Sequence, residues 1–271
     1  MKKILTTAIL CAGLVGFTAC DSFLDEDPKS SLTLDTYYKT SADIIGNVNY
    51  LYRDGAPDKM GNMTGAYRGS SLSVMNMVTG YFVNEYEGQE VDCSYARQLT
   101  RQDFTQSCCN YLTNDTWKSC YKSINVANAV IKYVDGVEMD NQAQYKAEAR
   151  FFRALNYFYL VKMFGDVPMV TEPTEDATLV EYPTRTAASE VFNTVIIPDL
   201  QFAVENLPNA TFAGNSHRVT KYAADMLLAD VYMRLGEYAN AVTPLKDVIN
   251  SGKFALATND NLAEGSAFNK L

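Results

Sequence analysis

The segment AEARFFRALNYFYLVKMFGDVP, residues 147–168, decides the fold class of this chain. Apolar side chains lie almost all round the helix that it predicts, and a helix without a polar face is normally buried among other helices. Gly165 supplies a left-handed cap at the end of this helix, and Pro168 prevents the helix from continuing. The segment therefore predicts a buried helix from about Gln142 to Phe164.

Three charged residues, Glu148, Arg150 and Arg153, interrupt the apolar character of this helix. A buried charge is stable only when it is paired and hydrogen-bonded. We therefore expect these side chains to form an internal ion pair or hydrogen-bond network, and not to act on a ligand.

Apolar residues also recur at helical spacing in the chain before this segment. Helices are predicted from near Thr33 to a stop at 54–57, over 71–84, and from about Thr116 to a stop at 135–136. The intervening residues are rich in Gly, Pro, Asn and Ser or lack a clear period, so we expect them to form long loops.

The chain after the segment predicts an extended stretch over 167–182 and then further helices. Thr186 is the expected N-cap of the first of these helices, and Pro198 should kink that helix. Thr220 is the expected N-cap of the following helix, which should end at Gly236. Neither an alternation of strands with helices nor a run of period-two strands is visible. The predicted class is therefore mainly α.

The last two helices have the spacing of a tetratricopeptide helix–turn–helix. The positions that carry this spacing are Ala224, Leu228, Tyr232, Gly236, Tyr238, Ala241 and Leu245. Small alanines let neighbouring helices approach, and the larger side chains fill the space between them. Hairpins of this type stack into a scaffold that presents its loops for recognition. We therefore expect tetratricopeptide-like helical hairpins with long loops that face the ligand.

The N-terminus predicts export and attachment to a membrane. Lys2 and Lys3 precede an apolar run over 4–17, which is shorter than the roughly 20 residues that span a bilayer. The residues that follow are typical of a lipobox, so we expect cleavage before Cys20 and a lipid on its thiol. An ordinary secretory signal with a chance cysteine is the alternative. The predicted organisation is a signal peptide over 1–19, an acidic tether over 20–32 and a helical domain over 33–271.

The net charge of −9 argues against nucleic acid as a partner, because phosphates require a basic surface. Hydrophobic residues make up 47% of the chain, as in globular domains. After the signal peptide, four cysteines other than Cys20 remain, and an exported protein could oxidise them or keep them as free buried thiols. They are Cys93, Cys108, Cys109 and Cys120. No C-x-x-C pair is present, so we do not expect a metal site.

The sequence offers no recognisable catalytic machinery, so an enzyme is not expected. His217 is the single histidine, and it lies in a polar stretch that reads as a turn before a helix. No glycine-rich phosphate loop and no recognisable catalytic pair of carboxylates is present, and we expect no cofactor. Tyr86 and Tyr95 in the long loop over 85–103 are the candidate residues for stacking on a ligand, unless they pack on their own loop. Trp117 falls at a helix-pairing position, where core packing is expected.

Taken together, these segments resemble the SusD/RagB family of nutrient-uptake surface lipoproteins of Bacteroidetes. The resemblance rests on several segments in order: Cys20; Phe23, Leu24 and Asp25 with Pro28; Tyr37 and Tyr38; Trp117 with Tyr121, Ile124 and Asn128; 147–155 running into 164–168; Arg185; Asp199 and Leu200; Leu207 and Pro208; and 218–252. The central segment is the most specific. Family members usually continue well beyond this match, which covers their N-terminal, tetratricopeptide-rich part. A fragment, a split gene and a naturally short member all fit this pattern.

The resemblance implies a lipid-anchored protein on the outer face of the outer membrane. Such proteins cap a TonB-dependent transporter of the SusC type, to which they pass captured oligosaccharides or, in some members, peptides. The acidic run after Cys20 resembles the surface-export signal of this phylum. No family motif fixes ligand-contacting positions in this chain. A tetratricopeptide adaptor or a peptide-binding surface lipoprotein without affinity for glycans is the alternative function.

Overall fold

The computed structural model of this protein describes residues 33–55, 79–81, 101–102, 107–175 and 183–255. The chain divides into two compact units at residues 37 and 38. The described part of the first unit is Thr33 and one helical turn, α1 (Leu34–Tyr37), and the hydroxyls of Thr33 and Thr36 lie 3.0 Å apart. The predicted boundaries at 19/20 and 32/33 and the predicted helix over 71–84 fall wholly or largely outside the described residues.

The described part of the second unit is mostly helical, as predicted. Its elements, in order, are α2 (Ser41–Asp54), α3 (Ser107–Tyr133), a 3₁₀ turn (Val134–Gly136), α4 (Gln142–Phe164), β1 (Val167–Pro168), β2 (Arg185–Thr186), α5 (Ala188–Val191), a π-helical turn (Phe192–Ile196), α6 (Ile197–Asn206), a 3₁₀ turn (Ala213–Asn215), α7 (Lys221–Arg234) and α8 (Tyr238–Asn250). Helix α2 packs on α3 and α4, α4 on α6, α6 on α7, and α7 on α8. The fold is therefore a stack of helical hairpins of the tetratricopeptide kind.

Helix α4 has the predicted bounds and is buried along most of its length. Tyr157, Phe158 and Leu160 are among the largest fully buried side chains of the protein. The helix ends at Gly165, whose φ of 69° favours glycine. The prediction of a central buried helix is confirmed.

Helix α2 begins with a capping box. The backbone N–H of Thr40 donates to Asp43 Oδ2 at 2.8 Å, and the N–H of Asp43 donates to the Thr40 hydroxyl at 3.4 Å. The Thr40 hydroxyl also donates to Asp43 Oδ2 at 2.7 Å, and this bond, together with the one from the Thr40 N–H, holds the pKa of the Asp43 carboxyl below its usual value. At the other end, a Cβ on Gly55 would lie 2.4 Å from the Leu51 carbonyl oxygen, so only glycine fits where this helix stops.

Two of the predicted helix starts are wrong. Helix α3 begins at Ser107, well before the predicted start near Thr116. Thr186 is not an N-cap, because it pairs with Val167 in the antiparallel β1–β2 sheet, and the next helix begins one residue later, after Ala187. Pro198 lies in the first turn of α6, directly after the π-helical turn, and the kink predicted at this proline stays a prediction.

The α7–α8 hairpin follows the prediction closely. Thr220 is the N-cap of α7, although its hydroxyl makes no capping hydrogen bond, and Gly236 follows the end of the helix with a φ of 76°. Pro244 lies inside α8 and is buried.

In the part of the chain described here, no helix is both long and apolar enough to cross a membrane.

Candidate functional site

The residues that the sequence selected for function lie outside the described ranges. They are the lipidation residue Cys20 and the stacking candidates Tyr86 and Tyr95. Cys120 is described: its thiol is free and buried, and burial raises its pKa to about 12. Because the thiolate is the reactive form of cysteine, Cys120 is an inert core residue in the folded protein.

Trp117 and His217 are placed as the sequence predicted. The Trp117 ring meets Phe164 edge-on at 5.1 Å and Tyr121 at 5.0 Å, so it belongs to an aromatic cluster between α3 and α4. His217 is an exposed turn residue with a φ of 61°, and its ring contacts Phe212. Among the described residues, no group of three or more His, Cys, Asp or Glu side chains could hold a metal ion.

An open polar cleft of about 640 Å³ lies where α2 begins and where the chain enters α4. Its lining residues are Ser41, Ile45, Glu138, Met139, Asp140, Asn141 and Tyr145. Gln142, the first residue of α4, binds the chain that precedes the helix. Its side-chain nitrogen donates to the carbonyls of Val134 at 2.8 Å and Val137 at 3.0 Å. The short link over 138–141 is thereby held along one wall of the cleft.

The cleft combines the groups that bind a polyhydroxylated ligand. Glu138 and Asp140 offer exposed carboxylates that accept hydrogen bonds from hydroxyls. Asn141 has a left-handed backbone (φ 55°, ψ 30°), and its side chain makes no capping hydrogen bond to α4, so its amide can both donate and accept. Ile45 and the half-buried Tyr145 ring supply apolar surface. Two carboxylates favour a neutral or cationic ligand over an anionic one.

The Tyr145 ring contacts the guanidinium of Arg218. The guanidinium of Arg218 lies 5.2 Å from the centre of the Tyr145 ring and 4.8 Å from the centre of the Tyr52 ring. Its Nε donates to both carboxylate oxygens of Glu148, at 2.9 and 3.0 Å. The loop that carries Arg218 is therefore bound to α2 through Tyr52 and to α4 through Glu148 and Tyr145, and Tyr145 also lines the cleft.

Glu148 is fully buried, and its carboxylate is satisfied by donors from three elements. The Tyr52 hydroxyl donates to it at 2.9 Å and Gln144 Nε2 donates at 3.0 Å, in addition to Arg218. Burial, and then the charge of Glu148, raise the pKa of Tyr52 above its usual value, so its phenol stays a donor. Burial alone would lower the pKa of Arg218, but its bonds to Glu148 outweigh this effect and raise it.

A second buried network lies further along α4. Arg153 binds Asp199 of α6 with two hydrogen bonds, Nε to Oδ2 at 2.7 Å and Nη2 to Oδ1 at 2.9 Å. Its Nη1 donates to Asn128 Oδ1 of α3 at 2.9 Å, and Arg150 Nη1 lies 3.7 Å from Asp199. The prediction that Glu148, Arg150 and Arg153 join internal networks is confirmed.

Sequence reasoning did not identify the cleft or the role of Arg218. The cleft residues come from two short segments, 41–45 and 138–145, that are far apart in the chain, and Arg218 is 70 residues from Glu148. The one local signal was the charge of Glu148 on an apolar helix. A buried carboxylate requires a cationic or donor partner, but the sequence does not indicate which residue provides it.

A family model described as SusD-like, "Starch-binding associating with outer membrane", matches residues 22–233. SusD-like protein P2 of Formosa agariphila is 29% identical over 254 residues, which cover 93% of this chain and 47% of that protein. The chain spans about half the length of the curated relatives it matches.

Solved structures show the same fold. A laminarin-binding SusD-like protein superposes with a TM-score of 0.70 at 24% identity, covering 84% of this chain and 49% of that one. A structure described with xylogluco-oligosaccharide superposes with a TM-score of 0.61 at 23% identity, covering 80% of this chain and 42% of that one.

Proposed function

This chain belongs to the SusD-like family of starch-binding proteins that associate with the outer membrane, and from that premise we propose that it captures glycans at the cell surface. The observation that carries the proposal is the family match, which extends over 22–233 and so includes the described structure from α1 to α7. The likeness of its fold to laminarin-binding and xylogluco-oligosaccharide-bound proteins supports the same ligand class. Capture requires neither a catalytic group nor a cofactor.

In this proposal the protein is anchored in the outer membrane by a lipid on Cys20 and faces the medium. It delivers the captured oligosaccharide to a TonB-dependent transporter of the SusC type. The basic and apolar N-terminal residues 2–17 and the acidic residues that follow Cys20 support export and surface display. The acidic charge of the chain fits a role in which the lipid, and not a basic surface, contacts the membrane.

Two places are proposed to contact the glycan. Tyr86 and Tyr95 would stack on the apolar faces of sugar rings. The cleft at the start of α4 would bind hydroxyls through Glu138, Asp140 and Asn141, because carboxylates and amides provide hydrogen bonds in both directions.

The first test is isothermal titration of the purified chain, without residues 1–20, against laminarin, starch and xyloglucan oligosaccharides. We expect saturable binding to at least one glycan, and chromatography should recover that glycan intact. Release of shortened products would show catalysis and contradict the proposal. Absence of binding to every glycan, combined with co-purification of a transporter, would favour the adaptor function.

The second test assigns the contacts. Tyr86→Ala and Tyr95→Ala should each weaken binding about 2- to 10-fold, the effect of losing an aromatic contact worth about 0.5–1.5 kcal/mol. Tyr238→Ala is the matched control, since Tyr238 is an exposed tyrosine on α8, outside both proposed places. Unchanged affinity in both loop variants would remove these tyrosines from the site. Asp140→Asn tests the cleft in the same assay.

A further inference from the structure

Residues 167–175, which we call the strap, begin with strand β1, which pairs with β2, and are also bound to α3 and α4 through their main chain. The Tyr121 hydroxyl donates to the Pro168 carbonyl at 2.7 Å. The Tyr157 hydroxyl donates to the Val170 carbonyl at 2.8 Å and accepts from the Val170 N–H at 2.7 Å. The helices thus satisfy both backbone groups of a strap residue that has no strand partner in the β1–β2 sheet.

Two asparagines of α3 continue this pattern. Asn128 Nδ2 donates to the Val170 carbonyl at 3.0 Å and to the Glu172 carbonyl at 3.2 Å. Asn125 Oδ1 accepts from the Thr174 N–H at 2.7 Å. Side-chain amides that bind successive backbone groups are a means of holding a polypeptide in one conformation whatever its side chains are.

The binding side chains form a row on one face of α3. Tyr121, Asn125, Asn128 and Lys132 follow at intervals of four, three and four residues, which places them above one another on the helix. Lys132 ends the row with an ion pair to Glu175. We call this row, together with Tyr157 of α4, the strap groove.

The strap side chains differ in exposure, and residues 168–170 are half-buried. Thr171, Glu172 and Thr174 are exposed, while Val167 and Pro173 are buried. Recognition therefore depends on the backbone of an extended segment, on two small apolar anchors and on a carboxylate opposite Lys132. A free peptide with an extended backbone and an acidic residue near its end has the same chemistry.

We propose that the strap groove is a binding site for extended polypeptide, and that the strap occupies it and keeps other peptides out. A segment tethered within the same chain acts at an effective concentration on the order of millimolar, so micromolar free peptide does not displace it. This proposal is independent of glycan capture. It implies that the α3–α4 hairpin becomes available to a peptide only when the strap leaves.

The test replaces residues 168–175 of the full chain with a glycine–serine segment of equal length. The probe is a fluorescein-labelled peptide with the sequence of residues 167–175, followed by fluorescence anisotropy. The strapless variant should bind the peptide saturably, and the unmodified chain should bind at least about 30-fold more weakly because its own strap competes. Equal binding by both chains overturns the proposal, as does absence of binding to a strapless variant whose circular dichroism is unchanged.

A side-chain variant locates the binding. In the strapless chain, Asn125→Ala removes the acceptor of the Thr174 N–H and should weaken binding about 2- to 10-fold. Lys122→Ala is the matched control: Lys122 is an exposed residue of α3 whose ammonium group lies over the Tyr50 ring, away from the strap groove. Equal effects of the two substitutions would show that the peptide binds elsewhere.

Hydrogen exchange on the unmodified chain tests the same proposal if the strapless variant does not fold. The Val170 and Thr174 amides should be protected, because Tyr157 and Asn125 accept their hydrogen bonds. Millimolar peptide should capture the open groove and accelerate exchange at these two amides without affecting amides of buried α4. Unprotected strap amides, or protection that the peptide does not change, would overturn the proposal.

Discussion

Helix α4 carries two buried charged residues of opposite sign, and their surroundings differ. Glu148 is fully buried, but its partner Arg218 comes from a loop and keeps 20% of its side chain exposed. Arg153 and its partner Asp199 come from two packed helices, and only 10% and 3% of their side chains are exposed. The first network fastens a loop to the helical stack at its edge, whereas the second joins α3, α4 and α6 inside the core.

This difference determines what happens when a partner is lost. A guanidinium stays charged at every accessible pH, so a buried arginine without its carboxylate has no way to become neutral. A carboxylate can take up a proton instead, and Glu148 also keeps the donors Tyr52 and Gln144. We therefore expect the core network to be the more sensitive of the two.

The largest effect is expected for Asp199→Ala. It leaves the Arg153 guanidinium buried beside Asn128 without a compensating charge, so the free energy of unfolding should fall by about 3–5 kcal/mol. Urea denaturation followed by circular dichroism measures this loss. Asp199→Asn, which keeps the volume and one acceptor, should cost less than the alanine variant. A loss below about 1 kcal/mol for Asp199→Ala would show that the two networks do not differ as described.

A smaller loss, about 2–3 kcal/mol, is expected for Arg218→Ala. The substitution removes both the charge beside Glu148 and the contacts with the Tyr52 and Tyr145 rings. Arg218→Lys keeps the charge but cannot form the paired bonds to the carboxylate. Its stability should therefore lie between that of the unmodified protein and that of Arg218→Ala. If Arg218→Ala proved more damaging than Asp199→Ala, the loop network and not the core network would be the more sensitive one.

The smallest effect is expected at the surface pair of Lys146 and Asp135, in which the Lys146 side chain is 18% exposed. Asp135 is 61% exposed, and exposed pairs contribute little because water and salt screen them. Asp135→Asn should therefore change the free energy of unfolding by no more than about 0.5 kcal/mol. This variant is the reference for Asp199→Ala and Arg218→Ala. If it lost as much unfolding free energy as they do, burial would not be the cause of the difference between the pairs.

The sequence predicted most of the helices because their signal is local. The bounds of α4, the stop of α2 at Gly55 and the α7–α8 hairpin all follow from apolar periodicity and from glycine at helix ends. The wrong boundary at Thr186 has a tertiary cause, since pairing with Val167 holds that residue in a strand. The early start of α3 was not visible because the residues around 107–115 lack a clear apolar period.

The candidate site was less predictable than the fold. Charge on a buried helix indicated that Glu148 and Arg153 need partners, but not that the partners are Arg218 and Asp199, which lie 70 and 46 residues away. The cleft likewise depends on the placement of Ser41 and Ile45 beside the entry to α4. Long-range pairing of this kind leaves no period in the sequence.

The sequence by itself therefore determined the class of the protein: buried helical hairpins, because each helix carries its own apolar pattern and its own end signals. Only the tertiary structure decided where the extended residues 167–175 lie. Their proline and acidic residues indicate an extended segment, while the hydroxyls and amides that bind it are spread over α3 and α4 and meet only when those helices pack. The physical reason is that helix formation is governed by neighbours along the chain, whereas main-chain recognition is governed by neighbours in space.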